Sequence, residues 1–183
     1  MIAPVFVDSN VLIYAVDSNE ADKRIRAARW IERLWREQAG RTSMQVLSEY
    51  YVTVTRRLKP AVSTNDAWND VKSLLAWQPQ LVDGVLLQRA REIELRYRLS
   101  WWDSMVVAAA QLQDCAVLLT EDMQDGAAFG SVIVRSPFTL AVEEPRGKYE
   151  IAAAAQRHPP RGRPPKQRDS QAAGRAFEMA RGR

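Results

Sequence analysis

Pro4-Val-Phe-Val-Asp8 is the stretch on which the fold turns. A short, β-branched apolar run that closes on an acid predicts a buried strand with a carboxylate delivered at its carboxyl end. Runs of the same kind return at Ala116-Val-Leu-Leu-Thr120 and at Ser131-Val-Ile-Val134, with a polar, glycine-containing loop between them. The long interval after the first run has helical spacing. Ile25, Ala28, Ile31, Leu34 and Trp35 mark one helix, stopped by Gly40. A second is expected from Met44 to Leu58, started by Thr42 or Ser43 and ended before Pro60. Ser63-Thr-Asn-Asp66 is a capping signature for a third, through Trp68, Val71, Leu74 and Leu75 to near Pro79. Asp83 caps a fourth through Leu86, Ala90, Ile93 and Tyr97, and Ser100-Trp-Trp-Asp103 opens a fifth through Val106, Val107, Ala110 and Leu112. Strands separated by helices predict a parallel sheet with helices on its faces, so the fold class is α/β.

The chain of 183 residues has room for one domain with a proper core and an appendage. Its hydrophobic fraction of 46% and charged fraction of 26% are ordinary for globular chains and exclude only fibres and full-length disorder. Past Phe138-Thr-Leu-Ala-Val142 the character changes. From Pro145 onward ten Lys and Arg face three acids, a net +7, whereas residues 1–144 carry −3. We therefore expect a folded domain over 1–142 and a disordered tail over 143–183, too poor in large apolar side chains to offset its ordering entropy. A basic tail on an acidic body points to a polyanion for the tail and to a cation in the body. The lone Cys115 excludes an internal disulfide and fits a reducing cytoplasm. The N-terminus lacks a leader pattern, and no apolar run approaches membrane-spanning length.

Ligands of open α/β sheets bind beyond the carboxyl ends of the strands. Asp8 closes the first strand, and Asp122 lies two residues beyond Ala116–Thr120. Asp103 starts a helix and Glu49 lies in the early turns of another. Each has a plain structural alternative. Asp8 could cap the next helix or turn, and Asp103 could close a capping box with Ser100. Asp122 could be ordinary loop chemistry in Thr120-Glu-Asp-Met-Gln-Asp125-Gly126. Glu49 could be a solvated helix residue, although its neighbours Val46 and Val52 predict partly apolar surroundings in which a bare carboxylate is costly. Together the four acids are the hard oxygen donors that Mg²⁺ and Mn²⁺ favour, and Asn10 is a neutral polar support beside Asp8. The single histidine, His158, lies in the tail, which argues against Ser-His-Asp, Cys-His and His-zinc chemistry. No glycine-rich phosphate loop is present.

Val5-Phe-Val-Asp8-Ser-Asn10-Val-Leu-Ile-Tyr14, Ser48-Glu49 within a helix, Trp102-Asp103-Ser-Met-Val-Val-Ala-Ala-Ala110 and Leu119-Thr120-Glu-Asp122 resemble, in order and spacing, the PIN-domain ribonucleases, and among them the VapC-type toxins of bacterial toxin–antitoxin pairs. The resemblance spans about residues 4–140. It implies a three-layer α/β/α sandwich around a mostly parallel sheet, a Mg²⁺- or Mn²⁺-dependent endoribonuclease, a homodimer, and a small cognate antitoxin that blocks the acidic pocket with a basic group. By that match Asp8, Glu49 and Asp103 form the core site, Asp122 is the fourth and more variable acid, and Thr120 is the hydroxyl beside it. Asp125 competes with Asp122 for that last place. In the tail, Pro160-Arg161-Gly162-Arg163-Pro164-Pro-Lys166 resembles the AT-hook, whose arginines enter the narrow minor groove of A·T-rich DNA. A generic basic tail with salt-dependent affinity for DNA or RNA is the alternative. Two other readings remain open here. One is a nucleic-acid-binding protein with a degenerate site. The other, ranked lower, is a haloacid-dehalogenase-type phosphatase, against which Asn10 stands where that group has a second acid.

Overall fold

A computed structural model describes residues 3–139, so the tail, with Arg161, Gly162, Arg163, Pro164 and Lys166, lies outside the described residues. The fold begins with β1 (Val5–Val7), α1 (Ser9–Tyr14), α2 (Ala21–Glu37), β2 (Gly40–Arg41) and α3 (Met44–Arg56). It continues with α4 (Thr64–Leu74), a 3₁₀ turn (Leu75–Trp77), α5 (Gly84–Tyr97) and α6 (Trp101–Leu112). It ends with β3 (Val117–Leu119), β4 (Ala128–Phe129) and β5 (Val132–Arg135). The five strands form one sheet in the order β2-β1-β3-β5-β4, parallel throughout except for the β4–β5 hairpin. The chain is thus α/β, a mostly parallel sheet sandwiched by helices.

The helix starts follow local chemistry. Ser43, Ser63, Asp83 and Ser100 each take an extended backbone, and each side chain accepts from an N–H in the first turn of its helix. The inner strand residues Phe6, Val7, Leu118, Leu119, Val132 and Val134 are buried. Against them lies α6, buried continuously from Ser104 to Ala110, where Ala108-Ala109-Ala110 lets backbone approach sheet closely.

The structure departs from the sequence expectation in several places. Gly40 does not stop α2: the helix ends at Glu37 with Gln38 in the left-handed region, and Gly40 belongs to strand β2. Its missing side chain matters for packing, because a Cβ there would lie 2.5 Å from the buried Trp77 ring. The edge strand β4 was not expected either. It is created by the turn at Gly130, whose φ of +64° suits glycine. The helix α3 ends at Arg56 rather than Leu58, and the short α1 is additional.

Strand order positions the site. From β1 the chain crosses to β2 on one side, and from β3 it proceeds to β4 and β5 on the other. The adjacent carboxyl ends of β1 and β3 are therefore a topological switch point, where departing loops diverge and leave a crevice.

Candidate active site

Asp8 follows β1 directly, its N–H still paired with Leu119 O of β3 at 3.1 Å. Its extended backbone makes it the N-cap of α1, and Oδ1 accepts from the Ser9 N–H at 2.7 Å. Thr120, the residue after β3, donates its hydroxyl to Asp8 Oδ2 at 2.7 Å. The same hydroxyl oxygen accepts from Asn10 Nδ2 at 2.9 Å and from the Asp122 N–H at 3.1 Å. Asn10 Nδ2 also donates to Asp122 Oδ2 at 3.0 Å, with a longer 3.4 Å approach to Asp8 Oδ2. Asp8, Thr120, Asn10 and Asp122 thus form a closed hydrogen-bonded ring across the switch point.

The ring concentrates negative charge. Asp8 is buried, and burial is the main cause that pushes its carboxyl from 3.8 up to about 6. The hydrogen bonds from Thr120 and Ser9 oppose the rise, while the negative charges of Asp122 and Glu49 add to it. Glu49 reaches this site only through its field. It stands on the exposed side of α3, so of the two expectations the solvated one describes its own exposure, while Val52 and Trp102 share the open cleft it lines and Val46 is buried.

Asp103 is placed differently. Its N–H donates to Ser100 Oγ at 3.1 Å, and its Oδ2 accepts from that hydroxyl at 2.7 Å. Ser63 and Asp66 repeat this arrangement at the start of α4 with the same two distances. Capping geometry therefore does not mark Asp103 as special, and the structure does not bring it into the ring. Asp125 accepts from the Ser136 N–H at 2.9 Å and so ties its loop to the segment after β5, leaving Asp122 as the aspartate bound to Asn10. Among the described residues, no three His, Cys, Asp or Glu side chains stand close enough to enclose a metal ion.

Residues 5–124 match the PIN domain family. The chain belongs to that family. No curated protein matches it. PIN domains are typically metal-dependent nucleases that hydrolyse phosphodiester bonds, and nuclease chemistry is the activity this membership carries. Among the described residues of this PIN domain, no helix is long and apolar enough to cross a membrane.

The donor set fits a hard divalent cation. Asp8 and Asp122 offer carboxylate oxygens at one crevice, Glu49 adds a third negative charge felt there, and the neutral Asn10 and Thr120 hold the two aspartates without cancelling their charge. The nearby Lys23 does not neutralise them. Its ammonium pairs with Glu121 at 2.5 Å, donates to the Tyr14 hydroxyl oxygen at 3.1 Å and lies over the Tyr14 and Phe138 rings. This cluster pins the backbone beside Asp122 from the outside of the PIN domain. Sequence reasoning missed it, since residues 14, 23, 121 and 138 share no spacing that would reveal it.

Proposed function

We propose that this PIN domain is a Mg²⁺- or Mn²⁺-dependent endoribonuclease and the toxin of a toxin–antitoxin pair. The single observation that carries the nuclease reading is the buried Asp8 carboxylate, ringed by Thr120, Asn10 and Asp122 and raised in pKa mainly by burial and further by like charge, with no Lys or Arg among its hydrogen-bond partners in the described residues. Asp8, Glu49, Asp103 and Asp122 are the residues that hold the ion in this reading. When bound, the ion supplies Lewis-acid activation of water and offsets negative charge at the scissile phosphate. Thr120 and Asn10 fix the rotamers of Asp8 and Asp122, so the two carboxylates need no reorganisation on binding. Asp8 acts in its deprotonated form, which the ion favours against burial.

The toxin reading rests on the ordered motifs that resemble VapC-type proteins. It brings a homodimer and a small antitoxin that places a basic group at the acidic ring. Buried Cys115, its thiol pushed up to about 12 by desolvation, is an inert core residue compatible with the cytoplasm. The AT-hook-like Arg161-Gly162-Arg163-Pro164 and Lys166 add DNA or RNA contacts in this reading, and removal of residues 145–183 should then weaken nucleic-acid binding and flatten its salt dependence.

One observation favours a second reading, a degenerate nucleic-acid-binding PIN domain: Asp103 has the capping geometry of Asp66 and lies outside the ring. Asp103→Asn decides between them. Loss of metal-dependent RNA cleavage by the full chain supports the nuclease, while an unchanged phenotype supports the degenerate site.

A further inference from the structure

One face of α3 carries Gln45, Glu49, Val52 and Thr53 at helical spacing, and with Trp102 at the start of α6 it walls a cleft of about 480 Å³. That volume lies within the roughly 300–1,000 Å³ range of ligand sites. The cleft is open and asymmetric. At one end stands Glu49, whose charge reaches Asp8. At the other is Arg57, the exposed residue after α3, which has no ion pair among the described residues; eight residues of helix separate the two, roughly 12 Å. Val52, 38% exposed, lies between them on the helix, and Trp102, 64% exposed, lines the same cleft. Trp102 is unlike the rest of its helix, which turns core side chains inward from Ser104 to Ala110.

A flat, open aromatic face beside an aliphatic side chain suits the π-face of a nucleobase, and an unpaired guanidinium at the cleft end suits a phosphate. The acid end lies on α3, which packs against the α1 that Asp8 caps, and the Glu49 charge is felt at Asp8, so one strand can run from the cleft to the ring. Resting on the nuclease reading above, we infer that this cleft seats an unpaired nucleotide flanking the scissile phosphate, its base stacked on Trp102 and a backbone phosphate at Arg57. Because bases held in a duplex cannot reach such a platform, the cleft selects unpaired substrate, and the stacking step tolerates any base.

The test measures binding of a labelled single-stranded RNA octamer to the full chain, with chelator present so that nothing is cut. Trp102→Ala should weaken binding about 5- to 150-fold, the range expected for one lost base–aromatic stack, while Trp102→Phe retains most of the affinity. An octameric ribose-phosphate chain without bases should bind the wild type more weakly by a comparable factor and should hardly distinguish Trp102→Ala from wild type. Arg57→Gln should weaken both ligands equally and lower the salt slope by about one. Circular dichroism checks that the exposed substitutions leave the fold intact. Equal RNA affinity of Trp102→Ala and wild type overturns the inference and leaves the cleft to a protein partner. Metal-dependent cleavage is followed in parallel: full cleavage with Trp102-independent binding sinks this inference alone, whereas Trp102-dependent binding without cleavage by the wild type sinks the nuclease reading alone.

Discussion

Replacing Asp8 by Asn should stabilise the metal-free protein at high pH while slowing its metal-dependent cleavage at least about a hundredfold. Burial and like charge raise the Asp8 carboxyl from 3.8 in the unfolded chain to about 6 in the fold. A raised acid favours the protonated fold, so the cost of ionising Asp8 is absent below pH 3.8, grows as pH rises and is complete above the folded value. Two pKa units correspond to about 3 kcal/mol of destabilisation at pH 8, and to about 1 kcal/mol at pH 4.5. Asn keeps the N-cap, since its oxygen still accepts from Ser9 N at 2.7 Å. Its amide, however, faces a Thr120 oxygen that already accepts from Asn10 and Asp122. The lost Thr120 hydrogen bond returns about 1 kcal/mol of cost. The variant should therefore be more stable than wild type by about 2 kcal/mol at pH 8, and the gain should vanish near pH 4.5. Urea unfolding of both proteins in chelator at the two pH values measures this directly. A variant less stable at pH 8, or a difference independent of pH, would refute the charge-burial reasoning.

Two other substitutions probe the frame around the site. Tyr50→Phe removes the hydroxyl that donates to Asp70 Oδ2 at 2.7 Å between α3 and α4, and should cost about 1.5–3 kcal/mol in denaturant unfolding, the value of a buried bond to a charged group. Gly40→Ala drives a methyl group to 2.5 Å from the Trp77 ring, which also contacts Trp35 at 5.2 Å between centroids. Displacing that buried ring should cost about 1–3 kcal/mol, read as a lower unfolding midpoint with near-UV circular dichroism altered in the tryptophan region.

The legible parts of this fold are those set by local chemistry. Ser43, Ser63, Asp83 and Ser100 announce their helices because each cap is satisfied within three residues of itself. Gly40-Arg41 and Ala128-Phe129 carry no strand signal, being two-residue pieces defined only by partners Val5, Phe6, Ile133 and Val132 across the sheet. The site divides in the same way. Asp8, Asn10, Thr120 and Asp122 stand at strand ends, where the α/β class alone directs attention. The choice of Asp122 over Asp125 depends on which loop atom meets Asn10 and which meets Ser136, and that is a property of three dimensions. Glu49 is pointed to mainly by the motif resemblance, and its neighbours at helical spacing divide between buried Val46 and the exposed cleft residue Val52, while Glu49 itself is exposed. Its place near Asp8 comes from the docking of α3 against α1, which no spacing encodes.

The most direct test of the account is a cleavage assay on the full chain, purified free of any antitoxin and given a diverse RNA pool. Internal cuts should appear with Mg²⁺ or Mn²⁺ and cease with chelator. Asp8→Asn, although folded and more stable at pH 8, should cut at least about a hundredfold more slowly, the effect of losing several kcal/mol of charge stabilisation. RNA left intact by the wild type with either metal, or cut equally by Asp8→Asn, would contradict the claim that the Asp8 ring is a metal-dependent nuclease site.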